Sequence, residues 1–329
     1  NLLRVAAGRL QEPYLRRAGL RSSLSLGIFQ LVLLTVWWLA EWLHPVSYMY
    51  WFALAVGQLL LGVLQLVWVG RHFRTTTPPA ITQHYADRDL PSISVCIPAR
   101  NETEALDACL RAIVASNYPK LEILVLDDCS QDKTSEVIRS YAHGGVRFIK
   151  GTPAPENWYA KNWAYQQLYQ AASGELQEFD GVDIRFEPES LREIITTVLQ
   201  KHKTMLCVMP RNALTDGTGR PASFLIQPVR YAWELSLPRR RLQRPPVLSS
   251  CWVIERDMLE RAGSFAAIAK AITPESHLAR AAAAHNDGYS FIRSDDALAI
   301  TSLKAWHDQW ETAVRTRYPQ LHRRPELVL

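Results

Sequence analysis

Two adjacent carboxylates, Asp127 and Asp128, stand where a wholly apolar run, Ile123 to Leu126, stops. Upstream, a second β-type run, Ser92 to Ile97, is closed by Pro98 and followed by Arg100, Asn101 and Glu102. Ala105, Leu106, Leu110 and Ile113 lie between the two runs at helical spacing, so the order is strand, helix, strand. Two strands joined by a helix of this length form a right-handed parallel unit, and such sheets bind ligands beyond the carboxyl ends of their strands. Arg100, Asn101, Glu102, Asp127 and Asp128 all fall on that edge. An acid pair at a strand end also serves as a solvated turn or a helix cap, so the pair taken alone leaves both readings open.

The string IPARNE followed by LVLDDCSQDKT resembles the donor-nucleotide half of the family 2 glycosyltransferases. The resemblance implies an α/β chain with the GT-A fold of nucleotide-diphospho-sugar transferases, a Rossmann-like mixed sheet. It puts base recognition on Asp127, with Asp128 beside it, and nucleoside contacts on Pro98, Ala99, Arg100 and Glu102. The later segment GTPAPENWYAKNWAYQQLYQAASGE is similar to the carotenoid and hopanoid-associated branches of that family. By that match Lys161 reaches the donor's phosphates, and Trp158 and Trp163 frame the pocket. A lysine at a helix start is also an ordinary surface residue, and both readings stand.

The family's metal-binding DxD is expected in LQEFDGVDIRFEPESL, ahead of a helix that begins after Pro188. Carboxylates are needed there because a Mg or Mn ion bridges them to the donor's diphosphate and offsets the charge of the leaving group. The pattern is altered. Asp183 takes the second acidic position, Gly181 occupies the first, and Asp180 is one residue early. Asp183 is the expected ligand, with Asp180 as a second candidate; loss of the metal, or two plain turn residues, are the alternatives. In ITPESHLARAA, Glu275 is aligned with the family's general base, although Pro274 replaces the neighbouring acid and a helix start holds a carboxylate for structural reasons as well. Ala262, Gly263, Ser264 and Phe265 stand in for the family's GG-aromatic turn. His277 is the one histidine near these residues.

The 329 residues carry a net charge of +5 and are 48% apolar, enough for one large α/β domain with a smaller element. Arginines cluster at Arg4, Arg9, Arg16, Arg17 and Arg21 and again at Arg239, Arg240, Arg241 and Arg244, as suits anionic head groups or phosphates. No nucleic-acid module accompanies them, and nucleic acid is not an expected partner. Cys96, Cys109, Cys129, Cys207 and Cys251 show no metal-type pairing, which fits a reducing compartment.

Around this catalytic region the expected organisation is a basic membrane-surface segment at 1–23, a transmembrane helical hairpin at 24–70 and a linker at 71–90. The GT-A domain follows at 91–300, then an amphipathic interfacial segment at 301–329. Leu24 to Leu43 and Tyr48 to Val69 each reach the length of about 20 residues that a spanning helix needs. The link between them lacks Lys and Arg while both outer flanks are basic, which puts the catalytic domain on the cytoplasmic side of a cell (inner) membrane. A buried hairpin in a soluble protein is the alternative. The region from Arg211 to Arg244, in which apolar residues from Phe224 to Leu235 precede the arginines, fits a membrane-facing acceptor region, against a solvated loop.

The function these readings imply is an inverting transfer of a sugar from a nucleotide sugar, UDP-linked by preference, to a lipid or lipid-linked hydroxyl of the cell envelope. The rivals are a non-catalytic membrane scaffold with the same fold and a processive polysaccharide synthase. The latter is weakened because Gln309-Trp310 is not the family's QxxRW. Asn1 in place of methionine, and the lack of a third apolar run, leave either a compact member or an incomplete chain.

Overall fold

The computed structural model describes residues 76–212, 245–284 and 288–303, with scattered residues between 31 and 71. The chain forms two compact units, Asn1–Val67 with His307–Leu329, and Trp68–Trp306. Among the described residues no helix is long and apolar enough to cross a membrane. Most of the hairpin expected at 24–70, the basic segment at 1–23, the stretch Phe224 to Arg244 and nearly all of the segment at 301–329 lie outside the described residues.

In the larger unit, β1 (Ile93–Ala99), α1 (Thr103–Val114), β2 (Leu121–Asp127), α2 (Thr134–Ser140) and β3 (Val146–Lys150) form the opening α/β run. Helix α3 (Ala160–Ala171) leads to β4 (Leu176–Asp180) and β5 (Ile184–Arg185), and α4 (Ser190–Gln200) leads to β6 (Met205–Met209) and β7 (Arg211–Asn212). Then come β8 (Cys251–Glu255), α5 (Arg256–Arg261), α6 (Pro274–Ala284), β9 (Tyr289–Arg293) and β10 (Thr301–Ser302).

Seven strands lie in the order β3-β2-β1-β4-β8-β6-β9, and β5-β10-β7 make a small second sheet. β1 is parallel to both β2 and β4, as the strand-helix-strand reading requires. Within the described seven-stranded sheet β8 is the strand that runs antiparallel to its neighbours, β4 and β6, and in the small sheet β10 runs antiparallel to β5. β8 begins at Cys251, and just before it the Ser250 carbonyl accepts from the Gly181 N–H at 3.0 Å.

Pro98 was expected to end its strand, yet β1 continues through it to Ala99, paired with Leu126 and Asp127 of β2. The pairing of β1 with β4 stops at Cys96, so the missing N–H of Pro98 faces no ladder on that side.

Alternation along the strands sends side chains into two cores. Ile93, Val95 and Ile97 pack with Leu106, Leu110 and Ile113 of α1 and Leu191, Ile194 and Val198 of α4. Cys96, Leu124, Phe179 and Trp252 pack on the other face with Tyr165 and Leu168 of α3 and Leu278 and Ala282 of α6. Wholly apolar strands such as Leu124 to Leu126 are what a sheet covered on both faces demands.

The second core is centred on four rings. Phe179 stacks on Trp252 with centroids 4.5 Å apart, and Phe265 lies 5.3 Å from both Phe179 and Tyr165. Gly263 at φ 82 and Ser264 at φ 56 make the turn that drops Phe265 into this cluster. Two consecutive left-handed residues explain why two glycines suit this turn, and Ser264 is the strained one. Truncating the fully buried Phe265 removes ring contacts to α3, β4 and β8 together. Phe265→Ala should therefore cost roughly 3–5 kcal/mol, read as a lower urea midpoint for the larger unit; an unchanged midpoint would contradict this packing.

Candidate active site

The carboxyl ends of β1 and β2 carry the donor-side residues expected from sequence. The Asp127 carboxylate accepts from the Ser130 backbone N–H at 2.9 Å and from the Ser135 hydroxyl. Burial by itself would raise its pKa, but these hydrogen bonds outweigh it and hold the carboxyl below its usual range. Asp127 therefore stays an acceptor-only anion at neutral pH. Its neighbour Asp128 is pushed the other way by burial, although Arg100 lies 3.6 Å from it and opposes the rise.

The loop after β1 is stitched to the turn after β2. Asn101, at φ 55, donates its N–H to the Ser130 hydroxyl and accepts from the Gln131 N–H, while the Glu102 N–H donates to the Thr134 hydroxyl. Asp132 accepts from the hydroxyls of Thr103 and Thr134 at 2.6 Å each, which hold its carboxyl down to about 2. Ser130, Asp132, Thr134 and Ser135 were not singled out from sequence. The dense hydroxyl and carboxylate content of SQDKTS was the available signal, since such residues cap helices and close turns.

Beneath the strand end, the Gly151 N–H donates to the Asp127 carbonyl. A Cβ at residue 151 would meet that oxygen at 2.6 Å, so only glycine allows this approach. The next residue, Thr152, accepts from the Trp163 indole N–H through its hydroxyl and carbonyl, both at 3.0 Å. Trp163 meets Trp158 edge-on at 5.2 Å. The segment after β3 thus joins the Asp127 strand end to the start of α3.

At that start, the Lys161 ammonium lies 3.5 Å from Oε2 of Glu275, the second residue of α6, and 5.2 Å from the Tyr165 ring. The Glu275 side chain is 4% exposed and that of Lys161 39%. Burial alone would lower the lysine pKa; the Glu275 carboxylate and Tyr165 more than offset this and leave it raised, so the ammonium form persists. Among the described residues Glu275 Oε2 makes no hydrogen bond, and 3.5 Å is longer than a charge-assisted bond of about 2.8 Å. The pair is attracted but not closed. His277, on the same helix, is exposed.

Asp183 sits in the turn between β4 and β5. Its Oδ2 accepts from the Ser302 hydroxyl at 2.8 Å, and its carbonyl accepts from the Leu303 N–H. The Arg185 guanidinium pins the turn by donating to the carbonyls of Val182, Ile184 and, on α1, Ala105. Oδ1 meets no hydrogen-bond donor among the described residues. A Cβ at Gly181 would come within 2.5 Å of Oδ1, so a side chain at the first position of the motif would require the Asp183 carboxylate to turn away from its present place. The donor set fits a hard divalent cation held by one carboxylate, with substrate phosphates and water supplying the remaining oxygens.

Asp180, the second candidate ligand, points into the first core and is fully buried. It pairs across the sheet with Cys251, and its carboxylate, that of Glu178 and the Cys251 sulfur lie within 4.8 Å of one another. Among the described residues both Asp180 oxygens and Glu178 Oε2 lack hydrogen-bond partners, while Glu178 Oε1 accepts from the Cys251 thiol at 3.5 Å. Burial raises the Glu178 pKa from 4.5 to about 8, and burial with the Glu178 charge raises Asp180 well above its ordinary value.

The glycosyl transferase family 2 pattern matches residues 94–263, more than half of the chain. The chain belongs to that family and is a glycosyltransferase. Glycosyltransferase AglE of Haloferax volcanii is 31% identical over 113 residues, 33% of this chain and 36% of that protein. The 4,4'-diaponeurosporenoate glycosyltransferase of Staphylococcus aureus is 30% identical over 122 residues, 36% of this chain and 32% of that protein. These matches span about a third of the relatives' own length. A mannosyltransferase from Pyrobaculum calidifontis, solved in complex with GDP-Man and Mn2+, has the same GT-A fold: TM-score 0.56 and 19% identity over 82% of this chain and 75% of that one.

The buried acid pair has a measurable consequence. Between pH 4.5 and about 8 the folded state holds a proton on Glu178 that the unfolded chain has released, so stability must fall as pH rises through that window. The melting temperature of the native chain should drop across it, and Glu178→Gln should flatten the drop. A native profile that rises with pH, or a variant profile identical to the native one, would contradict this assignment.

Proposed function

We propose that the chain is a membrane-anchored, inverting glycosyltransferase that moves a sugar from a nucleoside-diphosphate sugar, UDP-linked by preference, to a lipid or lipid-linked hydroxyl. The observation that carries the reading is the Lys161–Glu275 pair, a buried carboxylate with an unbonded oxygen held beside an ammonium.

In this reading Asp127 accepts from the nucleobase, and Pro98, Ala99, Arg100 and Glu102 line the nucleoside. Lys161 faces the diphosphate and stabilises the charge that builds as the anomeric carbon–oxygen bond breaks. Glu275 accepts the proton of the acceptor hydroxyl while that oxygen bonds to the anomeric carbon from the opposite side. One displacement inverts the anomeric configuration. Asp183 is the residue that would hold a Mg or Mn ion, whose chemistry is to neutralise the diphosphate. The mannosyltransferase of the same fold, with its GDP-Man and Mn2+, supports a nucleotide sugar and a divalent cation.

Support for the membrane comes from the smaller unit. Its described residues Phe52, Leu59, Leu60 and Leu64 are helical and expose 72%, 67%, 58% and 65% of their surface, which apolar side chains do in contact with lipid. The Staphylococcus aureus relative, named for 4,4'-diaponeurosporenoate, favours an apolar acceptor. The basic flanks of the hairpin support a cytoplasmic catalytic unit at a cell membrane.

Two variants test the roles. The detergent-solubilised chain is given labelled UDP-glucose or GDP-mannose with Mn2+, and a lipid extract of the producing cells as acceptor. Glu275→Gln should lower kcat by roughly 100- to 10,000-fold while nucleotide binding, read by thermal shift, stays within about twofold. Asp183→Asn should remove the cation dependence of the UDP or GDP thermal shift along with turnover. Normal turnover in Glu275→Gln would exclude it as the base, and an unaltered cation response in Asp183→Asn would exclude it as the ligand.

A further inference from the structure

Asn162 follows Lys161 at the start of α3 and is 1% exposed. Its amide nitrogen donates to three carbonyls of a single loop, Ile268 at 3.0 Å and Ala269 and Ala271 at 2.9 Å each. An amide has two hydrogens, so three acceptors at these distances include one shared bond. Two more contacts run between the same segments. The Tyr159 N–H donates to the Ala269 carbonyl at 3.0 Å, and the Lys270 ammonium donates to the Asn157 side-chain oxygen at 2.9 Å.

The loop held in this way leads directly into α6, whose second residue is Glu275. Lys161 and Asn162 are adjacent, so one turn of α3 presents the ammonium to the Glu275 carboxylate and anchors the backbone from which that carboxylate is presented. Burial of the amide makes the arrangement stiff, because losing a donor strands carbonyls away from water.

We infer that Asn162 is a positioning residue for the transfer step: it sets the place of Glu275 relative to Lys161 without touching donor or acceptor. This rests on the reading of Glu275 as the base. Leu278 and Ala282 seat α6 in the second core beside α3, and Lys161 sets a direction of attraction from the same helix. The three bonds from Asn162, with that from the Tyr159 N–H, fix the loop immediately ahead of Glu275 on that packing.

The test uses the whole detergent-solubilised chain and the same labelled donors and lipid extract. Asn162→Leu keeps the bulk and removes both donors. Expected is a fall in kcat of ~10- to 100-fold, the size that a displacement of about 1 Å of a reacting group produces. Donor KM and the thermal shift with UDP or GDP should stay within about twofold. In a Glu275→Gln background the same substitution should change kcat by less than about twofold, because residues acting through one group are not additive.

Equal losses in kcat and donor affinity, or a full further loss in the Glu275→Gln background, would overturn the inference by showing a general structural role. A native kcat in Asn162→Leu would overturn it too. If Glu275→Gln itself keeps native turnover, the failure belongs to the assignment of the base and the inference falls with it. Should Asn162→Leu not fold, Asn162→Ser, which keeps one donor, decides the matter: a reduced kcat with native nucleotide shift supports positioning, and a native kcat overturns it.

Discussion

The pairing of β1 with β2 over seven residues, Ile93 with Leu121 through Ala99 with Asp127, is the constraint on which the donor side of the molecule rests. A parallel register brings two strand ends to one edge, so Ala99 and Asp127 stop level with each other. The loop after one strand can then be stitched to the turn after the other through Asn101, Ser130 and Thr134. A slip of one residue would turn Asp127 toward the opposite face and break every one of those bonds. The close approach of Gly151 under the Asp127 carbonyl extends the same register to β3 and onward to α3.

Charge is handled in two contrasting ways. At the sheet edge, Asp127 and Asp132 are surrounded by hydroxyl and N–H donors, which keep them ionised. Lys161 and Glu275 offset each other across two helix starts, an arrangement whose desolvation cost is tolerable because each charge keeps its partner. In the first core, Glu178 accepts only from the Cys251 thiol and Asp180 from no donor among the described residues, and burial drives both toward the neutral form. The same residue type thus serves as an anion at the edge and as a weak acid inside.

Much of the fold was legible because its signals are local. The apolar runs at Ser92 to Ile97 and Ile123 to Leu126, the helical spacing from Ala105 to Ile113 and the helix after Pro188 need no tertiary information to be read. Pro98 misled because a proline closes most strands, and only the early end of the β4 pairing makes it harmless here. Asp180 was ambiguous because its facing depends on strand parity: Asp180 shares the buried face of Glu178, while the turn after it releases Asp183. Gly181, which leaves the first position of the motif without an acid, lies against the Asp183 carboxylate, so in this turn the carboxylate occupies the space that a side chain at 181 would need. Asn162 carried no signal at all, since its three acceptors lie more than 100 residues away in sequence.

A structure determined with UDP or GDP and Mn2+ tests the central claim most directly, because it places base, diphosphate and metal at once. The expected result has the base within hydrogen-bonding distance of Asp127, the anomalous signal of manganese beside Asp183 Oδ1, and the diphosphate facing Lys161. A nucleotide away from the ends of β1 and β2, or manganese lodged among Glu178, Asp180 and Cys251, would contradict it.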